Sequence, residues 1–290
     1  GTEMIVWGGG AWDLTTGSDS IIVAVIDTGV VSHPDLQART IAGYDFISDP
    51  AVAGDGNGRD PDPTDAGDDA NGPGIHSYHG THVAGTIGAV TNNGIGVAGV
   101  TWQTKIMPLR LVGKGGGSSF DLAEAIKYAA GLPNLSGTFP PQRAHVVNMS
   151  LSACAQNPTE RAAVEAARSV GIILVAAAGN NREGEPGCPP GALEFPASYD
   201  GVVSVAALDI LQSPARYSSF GSRIDVAAPG GEMIAGTDVN NDGNPDGVLS
   251  TWRNPLNGQN GYAFASGTSM AAPHVAGIVG LMLAVNPGLT

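Results

Sequence analysis

Four polar residues stand where an apolar segment ends or begins, which is where enzymes often place reacting groups. Asp27 closes an apolar run, His79 opens the segment HGTHVAG, Asn180 follows AAAG, and Ser269 stands at the start of a long apolar stretch. A carboxylate, an imidazole and a hydroxyl can together produce a serine nucleophile, and a side-chain amide can stabilise an oxyanion. These residue types therefore allow nucleophilic acyl transfer.

Each of these residues also has an ordinary structural explanation. An aspartate or asparagine after a strand often forms a turn, and a serine or histidine before a helix can be a cap. His82, one turn after His79, fits a structural role better than His79 does. The two histidines could instead bind a metal, but no acid lies between them as in zinc-binding helical pairs.

The elements that must position these residues follow from the apolar pattern. Apolar, β-branched segments predict buried parallel strands at 20–27, 145–151, 171–179, 202–208 and 224–230. The segments between them predict helices at 79–90, 120–131, 158–171 and 269–285. We expect Thr159 to be the N-cap and Gly171 the C-cap of the third helix. Strands alternating with helices predict an α/β fold, whose sites lie at the carboxyl ends of the strands.

Composition and net charge limit the class of protein to which the chain can belong and the kinds of partner that it can bind. The 290 residues are 42 % hydrophobic, with no internal repeat or linker, which predicts a single globular domain over residues 1–290. The net charge is −14, from 13 basic and 27 acidic residues, so we expect no nucleic-acid partner, because phosphate binding needs basic patches. No apolar run is expected to cross a membrane.

The N-terminus and the two cysteines of the sequence bear on processing and on location. The N-terminus lacks the basic and apolar regions of a signal peptide, so we expect a mature form from which any leader has been removed. Cys154 and Cys188 are too few for a disulfide framework. They would pair in a secreted protein and stay reduced in a cytosolic one.

Taken together, the motifs resemble those of the subtilisin-like serine proteases, the subtilases, of the bacterial extracellular type. The order Asp, His, Ser along the chain is the order of that family. The resemblance runs from about Ala11 to the C-terminus and is specific because three catalytic motifs coincide. The matching segments are AVIDTG (24–29), HGTHVAGT (79–86), NMSL (148–151), AAAGN (176–180) and GTSMAAPHVAG (267–277).

This resemblance implies a three-layer fold, with helices on both faces of a mostly parallel sheet, and the activity of a secreted, extracellular serine endopeptidase. Ser269 would attack the scissile carbonyl, His79 would transfer the proton, and Asp27 would orient His79. Asn180 and the Ser269 N–H would hold the oxyanion. The implied partners are extended polypeptide substrates and the protein's own propeptide, and the implied state is a monomer.

The resemblance also implies a substrate groove with backbone walls. Its predicted residues are Gly115, Gly116, Gly117, Ser150, Leu151, Ser152, Ala177 and Gly179. The family usually has glycine in place of Ser152 and often a small residue in place of Glu194, at the base of the S1 pocket. An ionised Glu194 would attract lysine or arginine at P1, whereas burial without a partner would favour its neutral form. Arg182 or backbone donors could instead satisfy it.

Calcium is the cofactor that the resemblance implies. The strong calcium site of the family matches Asp35, Thr91, Asn93, Ile95 and Val97. A second candidate site is the acidic loop with Asp49, Asp60, Asp62, Asp65 and Asp68. A third candidate is the series Asp238, Asn240, Asp242 and Asp246, which resembles part of a calcium loop but lacks the glutamate at position twelve. Solvated acidic loops are the alternative for the second and third candidates.

The family fold also places Cys154 and Cys188 on neighbouring segments, which predicts a disulfide. Two other functions stay open: a sedolisin-like peptidase, which pairs its serine with a glutamate, and a catalytically inactive subtilase fold that serves as a binding module. The intact catalytic residues favour an enzyme. Because relatives usually continue with a further strand and helix, we expect a minimal form or a fragment.

Overall fold

The computed structural model describes residues 10–184, 188–235 and 237–289; the N-terminal segment considered for a leader lies almost entirely outside this part of the chain. In chain order the elements are α1 (Ala11–Leu14), β1 (Ile22–Asp27), β2 (Tyr44–Asp45), α2 (Pro50–Ala53), α3 (His79–Gly88), β3 (Lys105–Arg110), α4 (Ser119–Ala129), β4 (Val146–Met149), α5 (Pro158–Ser169), β5 (Ile173–Ala177), β6 (Val202–Leu208), β7 (Val226–Pro229), β8 (Val248–Arg253), β9 (Asn260–Ala265) and α6 (Thr268–Val285).

Seven strands form the central sheet in the order β2-β3-β1-β4-β5-β6-β7, and all its paired strands are parallel. Helices α4 and α5 pack together on one face, and α3 and α6 pack together on the other. This arrangement confirms the predicted three-layer α/β fold. A separate antiparallel pair, β8 and β9, packs against α3.

Strand β1 shows why its sequence is apolar without alternation. Ile22, Ala24 and Ile26 join the core on the side of α4 and α5. Val23 and Val25 join the core on the side of α3 and α6. Because both faces of the sheet are covered by helices, residues 22–26 of the strand all need apolar side chains, and only Asp27 at its carboxyl end is polar.

The five predicted strands correspond to β1, β4, β5, β6 and β7, and the four predicted helices to α3, α4, α5 and α6. Strand β3 was not predicted, although it lies inside the sheet between β2 and β1. Its sequence KIMPLR has charged ends and contains Pro108, which ordinarily argues against a central strand. Strands β2, β8 and β9 and the short helices α1 and α2 were not predicted either.

Both predicted caps of α5 need a correction of position. Asn157, not Thr159, is the N-cap, because its side chain accepts hydrogen bonds from the backbone N–H groups of Thr159 and Glu160. Pro158 then occupies the first turn, where a missing N–H costs nothing. Gly171 lies one residue beyond the C-cap Val170, with φ of 87°, which is the usual place for a helix-ending glycine.

Helix α6 corrects the expectation about apolar length. Its 18 residues, with mean hydropathy 1.6, are long and apolar enough to cross a membrane. The helix is 61 % buried, however, and packs on β4, β5, β6 and β7. Its apolar character is therefore that of a core helix covering a sheet.

Candidate active site

Asp27 and His79 meet at the carboxyl edge of the sheet. Asp27 is the last residue of β1 and His79 the first of α3, and Nδ1 of His79 lies 2.8 Å and 3.0 Å from the two carboxylate oxygens of Asp27. Gly80 permits this approach, because a Cβ there would lie 2.3 Å from the carbonyl oxygen of Gly29. The Asp27 carboxylate thus fixes the ring and leaves Nε2 as its second nitrogen.

The charges around His79 favour its protonated form. Burial lowers the pKa of the imidazole, but Asp27, followed by Asp68 and Asp65, outweighs this effect and raises the pKa above its ordinary value. Asp27 itself is buried, with only 2 % of its surface exposed. A histidine in this setting can accept a proton from a neighbouring hydroxyl and hold it as a stabilised imidazolium.

Ser269 is the second residue of α6, which starts at Thr268, one residue before the predicted start at 269. The N-cap is Gly267. The Ser269 hydroxyl donates to the carbonyl oxygen of Ser150 at 3.1 Å, and the Ser150 hydroxyl donates to the Ser269 carbonyl oxygen at 2.8 Å. Ser269, His79 and Asn180 line one cleft of about 460 Å³.

Asn180 is held in a single orientation by the residue before the serine. Its Oδ1 accepts hydrogen bonds from both the backbone N–H and the hydroxyl of Thr268, each at 2.9 Å. The Thr268 hydroxyl oxygen in turn accepts from the N–H of Gly179 at 3.1 Å. Because Oδ1 is occupied in this way, Nδ2 is the group with which Asn180 can donate to an oxyanion in the cleft.

His82 has the structural role that its position suggested. Its Nε2 lies 3.0 Å from the carbonyl oxygens of Val248 and of Ala263, so it ties α3 to β8 and β9. Burial, assisted by the nearby His79, lowers the pKa of His82 to about 4. His82 is therefore neutral and joins two layers of the fold.

The predicted groove residues divide into two groups. Gly113 and Gly116 exchange backbone hydrogen bonds within a tight turn, so the Gly116 N–H is occupied and cannot donate to a substrate in this arrangement. Gly115 and Gly117 remain candidates, and both are exposed. On the other side, the predicted wall residues are Ser150, Leu151 and Ser152, which follow β4, and Ala177 and Gly179 at the end of β5.

Glu194 is buried and is held by three neutral donors. Its carboxylate accepts hydrogen bonds from the hydroxyls of Ser152, at 2.7 Å, and Ser219, and from the Asn181 amide at 3.3 Å. Within the described residues neither Arg182 nor a backbone N–H donates to this carboxylate, and Arg182 instead stacks on the ring of Phe220. The contact with Ser152 joins the two positions at which the chain departs from the family pattern.

The carboxylate of Glu194 also lies directly behind the strand end that carries Asn180. Gly179 has φ of 103°, and a Cβ at that position would lie within 2.1 Å of all three carboxyl atoms of Glu194. A side chain at 179 would therefore displace the carboxylate. Gly179 is required both by its backbone conformation and by the close approach of Glu194.

Cys154 and Cys188 form a disulfide, with Cα atoms 5.5 Å apart and a sequence separation of 34. Their sulfurs and a carboxylate oxygen of Glu194 form a set of three possible metal-ligating atoms lying within 4.8 Å of one another, the only such set in the described residues. Because the sulfurs are joined covalently, this set is a cross-link and does not offer thiolate ligands.

The strong calcium site predicted from the resemblance has a compact counterpart. Asp35 is fully buried and accepts hydrogen bonds from the Asn93 amide at 2.6 Å, the Val97 N–H at 3.2 Å and the Tyr262 hydroxyl at 3.4 Å. Within the described part of the chain no cationic side chain forms an ion pair with Asp35. A buried carboxylate with only neutral partners fits a cation site.

The acidic loop does not gather its five aspartates. Asp49 caps α2, and the half-buried Asp60 and the exposed Asp62 accept backbone N–H groups within turns. Asp65 and Asp68 instead turn toward the start of α3. The charge pattern could not reveal this separation, because the loop folds back on the domain and its carboxylates bond to different neighbours.

The third candidate site forms a series of turns. Asp238 accepts the N–H groups of Asp242 and Gly243, and Asp242 accepts that of Asn244. Asp246 is buried, and one of its oxygens accepts the N–H of Val239. These carboxylates do not form a set within 4.8 Å in the described residues, and turn formation accounts for Asp238 and Asp242. A third calcium site stays a prediction.

Several residues that line the cleft were not predicted, and Trp252 is one of them. Trp252 of β8 lines the cleft, and its indole N–H donates to the carbonyl oxygen of Ser77 at 2.7 Å. It thereby connects the β8–β9 pair to the segment just before His79. The sequence could have indicated this residue only if β8 had been recognised as a strand.

The chain belongs to the subtilase family, because the model of that family matches residues 18–290. This match and the contact between Asp27 and His79 contradict the alternative in which the serine is paired with a glutamate. The fold and the site therefore agree with the class that the sequence motifs indicated.

Particular relatives extend this comparison. An extracellular protease from Xanthomonas campestris is 44 % identical over 288 residues, a match that covers 96 % of this chain and 46 % of that protein. Thermitase from Thermoactinomyces vulgaris is 34 % identical over 274 residues, covering 94 % of this chain and 77 % of thermitase. A solved protease from Pseudoalteromonas arctica matches with a TM-score of 0.87 at 42 % identity, covering 97 % of this chain and 82 % of that structure. The chain thus spans about half the length of the Xanthomonas relative.

Proposed function

We propose that this chain is the catalytic domain of a serine endopeptidase that cleaves extended polypeptides. The observation that carries the proposal is the contact between His79 and the buried Asp27, in a cleft shared with Ser269 and Asn180. The names of the relatives agree with this activity. We treat residues 1–290 as one such domain.

The geometry supports the following steps. Asp27 holds the imidazole through Nδ1, so Nε2 takes the proton as the Ser269 oxygen attacks the scissile carbonyl carbon. Nδ2 of Asn180 and the Ser269 N–H, which lies in the first turn of α6, donate to the developing oxyanion. His79 returns the proton to the leaving amine, and water then hydrolyses the acyl-enzyme by the reverse proton transfers.

Labelling by a serine-reactive phosphonate tests this proposal. The reagent should attach to Ser269, and the labelled protein should lose peptidase activity. The Ser269→Ala protein is the matched control and should take up no label. If the native chain neither reacts nor cleaves peptides while it is folded, it is the inactive binding module that the sequence left open.

We also propose calcium as a structural cofactor at the Asp35 site. The carboxylate of Asp35 and the side-chain oxygen of Asn93 would hold the ion, and the backbone oxygens of Thr91, Ile95 and Val97 would complete its shell. Calcium would supply charge compensation for the buried carboxylate. Thermal unfolding of the Ser269→Ala protein with excess calcium and with chelator tests this, because binding to the folded state alone raises the melting temperature. Equal melting temperatures would contradict it.

The remaining proposals concern location and partners. We propose that the protein is secreted, since relatives are named extracellular proteases and a disulfide is formed here. We further propose that it acts as a monomer and is produced with a propeptide that assists folding, as the family resemblance implies. Gel filtration of the mature protein and refolding with and without the preceding segment test these two points.

A further inference from the structure

Two buried carboxylates lie behind the imidazole and take no part in the steps above. Asp65 and Asp68 are each only 6 % exposed, although both come from the acidic loop that the sequence presented as solvated or calcium-binding. Within the described residues neither forms an ion pair with lysine, arginine or histidine. Burying a carboxylate without a cation is costly unless hydrogen bonds compensate, so their partners are informative.

Asp65 acts on the first turn of α3 through Thr28. The Thr28 hydroxyl donates to Asp65 Oδ2 at 2.5 Å, and the oxygen of the same hydroxyl accepts the N–H of Gly80 at 2.9 Å. A hydroxyl has one hydrogen, so donation to Asp65 turns its lone pairs toward Gly80. The Thr28 N–H donates to Asp27 Oδ1 at 2.8 Å, which connects this pair to the strand end that orients His79.

Asp68 acts in the same way through Ser77. The Ser77 hydroxyl donates to Asp68 Oδ2, and its oxygen accepts the N–H of His79 at 3.2 Å. The other oxygen of Asp68 accepts the N–H of Ser77 at 2.8 Å and that of Ala70 at 3.2 Å. Each carboxylate therefore fixes one hydroxyl, and each hydroxyl receives one of the first two N–H groups of α3.

The pairs Asp65–Thr28 and Asp68–Ser77 take the place of an ordinary N-terminal cap on α3. The N-cap residue Tyr78 has φ of 48° and makes no side-chain capping hydrogen bond. The first N–H groups of a helix need acceptors from outside it, and here Ser77 and Thr28 supply them. The helix start that carries His79 is thus held from two sides, by the acidic loop and by the end of β1.

We propose that Asp65 and Asp68 are positioning residues for His79: through Thr28 and Ser77 they fix the first turn of α3, and their charges support the imidazolium. This inference deepens the proposed function and rests on it. Neither residue touches the substrate, so loss of either should lower kcat and leave KM close to that of the parent.

The charged groups around His79 determine which of the two carboxylates, Asp65 or Asp68, is simpler to test by substitution. The titratable and charged groups on the elements around His79 include Asp27 of β1, Lys105 and Arg110 of β3, Asp65, Asp68, Asp69 and His76 of the preceding loop, His82 of α3, Arg253 of β8 and His274 of α6. Burial raises the pKa of Asp65 to about 7, so the charge of Asp65 itself changes near neutral pH. Substitution of Asp68 is therefore the simpler test.

The experiment compares Asp68→Asn, Ser77→Ala and a control, Asp209→Asn. Asp209 lies after β6, where its carboxylate closes a turn through the N–H groups of Leu211 and Ser213. Peptide hydrolysis as a function of pH gives kcat and KM. NMR titration of the His79 ring, in the Ser269→Ala background, gives its pKa without any need for activity. Circular dichroism confirms that each variant is folded.

We expect Asp68→Asn to lower kcat roughly tenfold, to leave KM unchanged and to lower the His79 pKa. The neutral imidazole is the active form of His79, so a lower pKa moves the acid limb of the pH profile of kcat to lower pH. Ser77→Ala removes the link to the His79 N–H but keeps the charge, so kcat falls and the pKa of His79 stays near that of the parent. The Asp209→Asn variant should have the kcat and the His79 pKa of the parent.

Folded Asp68→Asn protein with parental kcat and a parental His79 pKa would overturn the inference. If Asp68→Asn does not fold, Ser77→Ala decides: a parental kcat in that variant would overturn the positioning role. Failure of the proposed function gives a different result, because the parent itself would then cleave no peptide. In that case the NMR titration still tests the effect of Asp68 on His79.

Discussion

The catalytic edge of the sheet and the base of the predicted S1 pocket are built in different ways. Asp27 ends a strand, and His79 and Ser269 lie in the first turns of helices, so regular elements position all three. Glu194 lies between β5 and β6, held by Asn181 of the same connection and by Ser152 and Ser219 of two other segments. The proposed reacting groups are thus positioned by regular secondary structure, and the predicted pocket base is held mainly by tertiary contacts.

The two regions nevertheless share one strand end. Gly179 presses against the Glu194 carboxylate on one side and donates to Thr268 on the other, just before Asn180. A change at the predicted pocket base can therefore move Asn180, the proposed oxyanion donor, through Gly179 alone. Substitutions on each side measure how far the two regions are independent.

The largest expected effect belongs to the catalytic edge. Ser269→Ala should lower kcat by roughly 10⁵-fold or more, because the nucleophile and its general base act as a unit. The melting temperature should stay close to that of the parent, since the hydroxyl makes one hydrogen bond, to Ser150. Peptide hydrolysis and thermal unfolding of the purified variant check both statements. Unchanged hydrolysis would remove Ser269 from the mechanism.

Asn180→Ala should cost less, and mainly in kcat. Loss of one oxyanion donor lowers kcat by roughly 10²–10³-fold, a magnitude taken from subtilisin. The contrast variant is Asn181→Ala, which removes a donor to Glu194 and should change P1 selectivity with a much smaller loss of kcat. Similar kinetic defects in the two variants would show that the catalytic edge and the pocket base do not act separately.

The disulfide should support the pocket base more than the catalytic edge. Replacing both Cys154 and Cys188 by serine should lower the free energy of unfolding by roughly 3–4 kcal/mol, from the chain-entropy cost of the loop that they close. Denaturant unfolding in the Ser269→Ala background measures this without self-digestion. Thiol titration of the denatured, non-reduced parent should find no free thiol; two free thiols would contradict the pairing.

The fold could be predicted wherever a segment is apolar over nearly its whole length, as in β1 and β5. A strand that is covered on both faces of the sheet needs apolar side chains on both faces. Strand β3 could not be predicted, since Pro108 and its charged ends conceal it. The proposed catalytic residues could be picked out from the sequence because each lies within a short local motif. The roles of Asp65 and Asp68 could not, because their partners Thr28 and Ser77 are brought to them only by the folded loop.

The smallest effect, on selectivity alone, concerns Glu194. Its carboxylate is buried, and the donors to it are two hydroxyls and an amide, none of which carries a positive charge. A lysine ammonium at P1 would supply the missing charge next to Ser152. Glu194→Gln should therefore lower the ratio of kcat/KM for P1 Lys to that for P1 Phe, by about tenfold if the charge-assisted contact contributes about 1.4 kcal/mol.

The measurement uses three peptides that differ only in P1 Lys, Phe or Leu, on the parent, on Glu194→Gln and on the control Glu183→Gln. Glu183 lies in the same segment but is exposed, so its variant tests the loss of one negative charge without a change at the pocket base. The amide that Glu194→Gln introduces can keep a bond to Ser152, so packing is preserved and the charge is the variable. A Lys-to-Phe ratio that stays at the parental value in Glu194→Gln would show that this carboxylate only braces Ser152, Asn181 and Ser219. A ratio that falls equally in both variants would assign the effect to the general negative field of the chain, whose net charge is −14.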